Sequence, residues 1–420
     1  MSGDVVIIGG GLAGLTSAWF LRQAGYTVRV IEARAQVGME TSFANGGMMT
    51  PSMSDPWNSP GVHWQLLRWL GRKDAPMLLR LWALPQYFGW GLRFLAHSRP
   101  RKHLAAMEAN FALSALSMEQ VRLLRRHCAL EYTLGTRGTI KIYREAAAFD
   151  AACAAAEHLR ARGLRFEPLD SAGAVRAEPR LADIAPQLAG AIHYPGDETG
   201  DAHVFCRELK RCLAELGVAF SLNTRVTGLV VEGQQVRAVQ TGASSIRADK
   251  VVIAAAARSP ELAQPLGIAL HIRPVKGYSL SVPFRQPERM LSMAVIDDAL
   301  HAAATPLSNM LRIAGTAEFA GWNPKLDPDR VQNLWNYLDA LGPTLSAAAD
   351  RNHASAWCGF RPMAADGRPY IGATPVGGLY VNCGHGHLGW TQVTGSGKLL
   401  AQLMAGDAPA IDPAPYAVGR

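Results

Sequence analysis

No C-x-x-C pair occurs in the 420 residues, and the six cysteines (Cys128, Cys153, Cys206, Cys212, Cys358 and Cys383) stand at irregular spacings. That pattern excludes the usual zinc sites and gives no sign of a disulfide framework, so reduced, inert thiols are the expectation. No group of histidines and carboxylates has metal-ligand spacing, and no metal is expected. Nor is any apolar run long and charge-free enough to cross a bilayer, which takes about 20 residues. Repeats, low-complexity tracts and nucleic-acid motifs are missing as well. The first strand-like run starts at the fourth residue, which leaves no room for a cleavable signal peptide and points to a cytoplasmic chain. A net charge of +8 is modest for this length, and the apolar content of 49% is ordinary. The chain has room for two domains or one large interleaved one.

What is present begins with residues 4–34. Val5-Val6-Ile7-Ile8 is a strand-type run feeding Gly9-Gly10-Gly11-Leu12-Ala13-Gly14, with glycine at all three fixed positions of G-x-G-x-x-G. A helical pattern follows, Gly25 stops it, and residues 26–31 read as a second parallel strand ending at Glu32. In such a unit the first glycine allows the tight turn, the second lets a pyrophosphate approach, and the third lets helix and strand pack closely. The helix N-terminus then offers unpaired N–H groups to phosphate. Glu32, eighteen residues beyond Gly14, is placed to accept hydrogen bonds from a ribose, which speaks against NADP.

Further on, Thr41, Ser42, Asn45, Gly46 and Gly47 supply hydroxyls and exposed backbone that suit either a second cofactor contact or a polar surface loop. Residues 57–103 differ sharply from the rest. They hold five of the ten tryptophans and many leucines, with Arg68, Arg72, Lys73, Arg80, Arg93, Arg99, Arg101 and Lys102 against Asp74 alone. Such interleaving fits a segment lying on a membrane surface, or a helical hairpin packed over the protein's own core with its arginines reaching water. Residues 107–126 form an amphipathic helix whose Arg122, Arg125 and Arg126 read as a solvated face. Residues 271–282 and 310–319 alternate as antiparallel strands, residues 327–341 form a helix led in by Asp-Pro, and residues 395–403 form the closing helix. Arg312 sits inside an otherwise apolar strand and needs an anionic partner, either a substrate carboxylate or a structural ion pair. His385 and His387 flank Gly386 in a glycine loop, and His387 could tune loss of an amine proton near neutrality.

The order of motifs resembles the FAD-dependent D-amino acid dehydrogenases, within the wider group of D-amino acid oxidase, glycine oxidase and sarcosine oxidase. The matching stretches are Glu40-Thr41-Ser42 with Ala44-Asn45, Pro56-Trp57, Pro60-Gly61-Val62, Asp197-Glu198-Thr199-Gly200-Asp201, and Lys276-Gly277-Tyr278-Ser279-Leu280. Arg361-Pro362-Met363 with Asp366-Gly367, and Gly384-His385-Gly386 with Leu388-Gly389-Trp390-Thr391, complete the series. The resemblance implies an α/β fold, with a Rossmann-like FAD-binding domain of the glutathione-reductase type and an interleaved α+β substrate domain. The FAD-binding domain would take residues 1–56, 190–265 and 355–420. The substrate domain would take 57–189 and 266–354, with 57–103 as a membrane-facing insertion.

FAD would lie with its ADP half on Gly9, Gly11, Leu12, Ala13, Gly14, Glu32, Ala33 and Arg34, with further contacts at Val226 and Ala255. Its ring would lie against Thr41, Ser42, Asn45, Gly46, Gly47 and the loop of Gly386, Leu388, Gly389, Trp390 and Thr391. Tyr278 matches a tyrosine that contacts substrate in the family. Arg361 would contact flavin or substrate, or brace the final strand. The implied reaction is hydride transfer from the α-carbon of a D-amino acid to flavin N5, giving a 2-oxo acid and ammonia, with electrons passed to a quinone or another non-oxygen acceptor. Competing readings are an oxygen-using oxidase of glycine, sarcosine or D-amino acids, a D-hydroxyproline dehydrogenase, and a non-catalytic flavin-binding membrane adaptor.

Overall fold

A computed structural model describes residues 3–69, 72, 75–242 and 244–420. Lys73 and Asp74, counted above in the basic segment, lie outside the described residues. The chain opens on β1 (Asp4–Ile8), α1 (Leu12–Gln23) and β2 (Thr27–Ile31). Apolar runs at β1 and β2 pair in parallel, because α1 returns the chain over one face of the sheet. Six strands complete that sheet, in the order Tyr370–Ala373, Leu379–Cys383, Lys250–Ile253, β1, β2, Ala219–Ser221. All neighbours run parallel except the first pair. Central strands buried on both faces explain the unbroken Val/Ile runs.

A separate mixed sheet of nine strands carries Ile272–Pro283 and Met310–Phe319 as antiparallel neighbours, as their alternation predicts. It takes strands from both sides of the boundaries at 190 and 355, since Gly190–Tyr194 and Ser355–Ala364 both belong to it. The helix Pro328–Ala340 covers one face, and the Asp327 carboxylate caps it by accepting from the Asp329 N–H.

The closing helix runs Gly389–Ala405, six residues earlier than its sequence suggests. Its first turns are rich in glycine and β-branched residues, which disfavour helix by up to about 1 kcal/mol each. Packing overrides that preference. A Cβ at Gly395 would lie 2.7 Å from the carbonyl oxygen of Leu113, and one at Gly397 would crowd the backbone of Thr16 and Ser17. Glycine there lets the helix sit directly on Pro100–Cys128 and on α1.

Two expectations fail in this region. Arg122 and Arg125 are not merely a solvated face, because both grip the buried Glu198 carboxylate, at 2.7 and 2.9 Å. The cysteines are not all reduced either. Cys128, ending the long helix, is bonded to Cys212 on the helix Ala202–Glu215, with their Cα atoms 5.7 Å apart. The two stand 84 residues apart in sequence, and only the packing of both helices into one core brings them together.

The basic segment divides its apolar residues between two faces. Tyr87, Trp90 and Phe94 of the helix Leu84–Ala96 are buried against Val275, Phe319 and Met363. Trp90 Nε1 donates to the Met363 carbonyl at 3.0 Å. The other face leaves Leu81, Trp82, Phe88 and Leu92 between 56% and 71% exposed, with Trp64 and Leu67 of the helix Val62–Trp69 equally open. Among the described residues no helix is long and apolar enough to cross a membrane.

The disulfide has a direct readout. Four of the six cysteines are free in the structure. Protein unfolded without reductant is therefore expected to titrate four thiols, and six would show that the pair does not form.

Candidate active site

The two sheets share one large cavity, of about 760 Å³. Its nucleotide end is built by glycine geometry. Gly9 has φ +115°, and a Cβ there would meet the carbonyl oxygen of Ala254 at 2.5 Å. At Gly14 a Cβ would fall 1.8 Å from the Gly9 carbonyl oxygen, so only glycine lets α1 descend onto β1. Gly11 differs, because a Cβ would meet only Ser42 Oγ, at 3.6 Å, so its missing side chain leaves room for a ligand rather than for protein. The Glu32 carboxylate accepts from the N–H groups of Gly10 (2.7 Å) and Arg34 (2.8 Å), which fixes it at the end of β2 beside the cavity.

Most of the residues singled out for cofactor contact line this cavity. Gly9, Gly11, Leu12, Ala13, Glu32 and Ala33 form one end, with Val226 and Ala255 beside them. Thr41, Ser42, Asn45 and Gly46 border the middle, opposite Gly386, Leu388, Gly389 and Trp390. Four do not line it. Gly14 serves the helix–strand contact, Arg34 pairs with Glu40, the Gly47 N–H donates to Asn45 Oδ1, and the Thr391 hydroxyl accepts from the Thr50 N–H. A glycine cradle, an acid at the end of β2 and an elongated cavity fit an FAD, which these residues would hold by its phosphates, ribose and ring.

Arg361 is the most telling side chain. It projects from Ser355–Ala364 into the cavity, where Nη1 donates to the Thr316 carbonyl at 3.2 Å, and no carboxylate of the described residues lies within ion-pair distance. Burial alone pushes its pKa down to about 10. Gly277 on the neighbouring strand makes room for it, since a Cβ there would fall 1.9 Å from Nη1. A deep guanidinium without a protein anion calls for an anion from elsewhere. The Trp57 ring lies 5.6 Å from its guanidinium carbon and stacks on His387 at 5.3 Å.

His387 is held at about 4, by burial first and by Arg361 second, against hydrogen bonds it donates to the Met53 and Asp55 backbone. His385 is lowered to about 3 by burial and contacts Ser396 Oγ at 3.0 Å. Both are neutral near pH 7, so His387 cannot tune an amine proton there as its ordinary pKa suggests. Because the folded protein keeps them neutral, their contribution to stability is full above about pH 6.5 and is lost as pH falls toward 4.

Arg312 and Tyr278 are placed elsewhere. Arg312 is 5% exposed and stays outside the cavity lining, where its guanidinium holds Ser281 Oγ (2.9 Å), the Asn45 carbonyl (3.0 Å) and Asp201 (3.9 Å). It has found its anion within the protein and braces the Asn45 loop from below. Tyr278 borders the cavity, but its hydroxyl donates to Glu318, which Lys276 and Arg80 also hold at 2.9 and 2.6 Å. Strand alternation explains this, because Tyr278 shares its face with Leu280 and Val282 while Ser279 and Ser281 face the Asn45 loop. Sequence reasoning placed His301 in the pocket wall but missed Asp55, Lys141 and Asp298, which line the same cavity. These three are far apart in sequence, and no local pattern joins them.

Fold and site together define a flavin-dependent oxidoreductase of small molecules. The chain belongs to the FAD dependent oxidoreductase family, whose model matches residues 4–403. It is 40% identical over 410 residues to a D-amino acid dehydrogenase of Paramagnetospirillum magneticum, covering 97% of this chain and 96% of that protein. It is 37% identical to the D-amino acid dehydrogenase of Agrobacterium fabrum, over 99% of each. Among solved structures, glycine oxidase from Geobacillus kaustophilus superposes with a TM-score of 0.77 at 25% identity, covering 100% of this chain and 99% of that one. L-proline dehydrogenase from P. horikoshii has the same fold, with a TM-score of 0.78 at 18% identity, over 99% and 97%. The cofactor of this chain is FAD.

The Gly14 contact gives a test of the cofactor site. Gly14→Val is expected to abolish retention of FAD, so that the purified protein is colourless. A yellow Gly14→Val protein with normal flavin content would contradict the packing described.

Proposed function

We propose that this protein oxidises D-amino acids to 2-oxo acids and ammonia and passes the electrons to a quinone. The observation that carries the substrate class is Arg361, a cavity-facing guanidinium without a protein carboxylate, ready for the carboxylate of an amino acid. The names of the relatives, at 36–40% identity over nearly their whole length, support the same class and its D configuration. FAD supplies the hydride acceptor when bound.

The chain's own residues do the rest. Arg361 binds the substrate carboxylate and fixes the molecule's orientation, and the Trp57 ring beside it, with neutral His387 stacked on it, limits water around the α-carbon. Neutral histidines add no second positive charge to repel an α-ammonium. The amine must lose a proton before the hydride leaves, and that proton goes to solvent. Release of an imino acid is followed by its hydrolysis in water.

In this reading the six-stranded parallel sheet and its helices serve mainly the cofactor, while the nine-stranded sheet, with Gly190–Tyr194 and Ser355–Ala364 in it, serves the substrate. The exposed face of Trp64, Leu67, Leu81, Trp82, Phe88 and Leu92, flanked by arginines, supports peripheral contact with the inner face of the cell membrane, where a quinone would be reached. The likeness to glycine oxidase favours a second reading, in which oxygen is the acceptor. Peroxide release during turnover separates the two.

Arg361→Ala is expected to lower kcat/KM for D-amino acids by roughly two orders of magnitude, the loss of about 3 kcal/mol for a buried charge-assisted pair, with FAD retained. An unchanged kcat/KM would remove Arg361 from the substrate site. For the membrane contact, the protein is expected to sediment with anionic lipid vesicles, and Trp82→Ser with Phe88→Ser to weaken that binding by about tenfold or more. No binding of the unaltered protein to such vesicles would contradict it.

A further inference from the structure

The cavity also carries charge of the opposite sign to Arg361. Asp55 lines it, with a side chain that is 58% exposed. The nearest basic group to Asp55 is His103, at 3.9 Å, and burial lowers the pKa of His103 so that it stays neutral. Lys141 is committed to Asp298, at 2.6 Å. His301 completes this wall against Trp69, and burial holds it neutral too, despite Asp298 nearby. Asp297 also reaches the lining, but Arg144 neutralises it at 2.9 Å. Among the described residues Asp55 and Asp298 face Lys141, and burial raises the pKa of Asp55, so a cationic group of a ligand would stabilise its ionised form.

Asp55 stands two residues before Trp57, whose ring lies beside Arg361, and the Asp55 backbone and Arg361 both act on His387. A substrate whose carboxylate rests on Arg361 therefore has the Asp55 carboxylate in the same cavity to meet its side chain. An apolar side chain ending there would bury an unmatched carboxylate at a cost, whereas an ammonium or guanidinium would neutralise it.

We propose that Asp55 is a specificity-determining residue, and that the favoured substrates are D-amino acids whose side chains end in a cation. This rests on the oxidation of D-amino acids set out above. Asp55 touches no reacting atom in this account. It selects the substrate's far end while Arg361 holds the near one.

The test compares D-lysine with D-norleucine, which keeps the chain length and lacks the ammonium. Anaerobic reduction of the bound flavin is followed in the holoenzyme and in Asp55→Asn and Asp55→Glu variants. The unaltered enzyme is expected to prefer D-lysine by about tenfold or more, the ratio to fall to about one in Asp55→Asn, and the preference to return in Asp55→Glu. Because each ratio is taken within one preparation, it does not depend on the fraction of protein folded. A ratio of one or less in the unaltered enzyme would overturn the inference, as would a preference that survives Asp55→Asn, which would mean that another group recognises the side-chain cation. Reduction by D-norleucine or D-alanine but not by D-lysine would sink this inference and leave the reaction standing. Reduction by no D-amino acid would remove the reaction itself, and the inference with it.

Discussion

The approach of Gly14 to the carbonyl of Gly9 governs where the rest of the molecule can lie. With no Cβ at Gly14, α1 descends onto β1, and the helix N-terminus is brought to the mouth of the cavity. The closing helix then rests on α1 through Gly397, and on the long helix Pro100–Cys128 through Gly395. The same contacts place the loop Gly386–Leu388 opposite Thr41 and Ser42. A cavity that can hold FAD is thus the result of three close backbone approaches, each of which a methyl group would prevent.

A second constraint, electrostatic rather than steric, gives that cavity its chemistry. Most buried charges here have partners: Arg312 with Asp201, Glu198 with Arg122 and Arg125, Glu318 with Lys276 and Arg80. Arg361 has a backbone carbonyl and the Trp57 ring, and no carboxylate among the described residues. Desolvating a cation without an anion is costly, and a fold that tolerates the cost at one point keeps that point for a ligand. Neutral His385 and His387 strengthen the contrast, because they leave Arg361 as the fixed positive charge beside the presumed α-carbon.

Much of this was legible in the sequence where the signal is local. The β1–α1–β2 unit, the glycine positions, Glu32 and the strands 271–282 and 310–319 all follow from periodicity and turn chemistry. What escaped depends on contacts between distant residues. The Cys128–Cys212 pair has no spacing signature, and the first turns of the closing helix are poor helix formers held by tertiary packing. Arg312 was rightly judged to need an anion, but sequence could not say that Asp201 would provide it. Tyr278 and Arg361 lie on adjacent strands, and which of them opens onto the cavity depends on strand register and on the hole left by Gly277. Asp55, Lys141 and the turn that holds Asp298 and His301 are distant in sequence, so no local pattern marks them together.

The fold is shared with glycine oxidase and L-proline dehydrogenase, so it does not by itself set the stereochemistry of the reaction. The most direct measurement is anaerobic mixing of the purified yellow protein with paired D- and L-amino acids, following loss of the oxidised flavin absorbance. The account predicts bleaching by D-isomers and none by their L-counterparts. Bleaching by L-isomers alone, or by neither while dithionite still reduces the flavin, would contradict it.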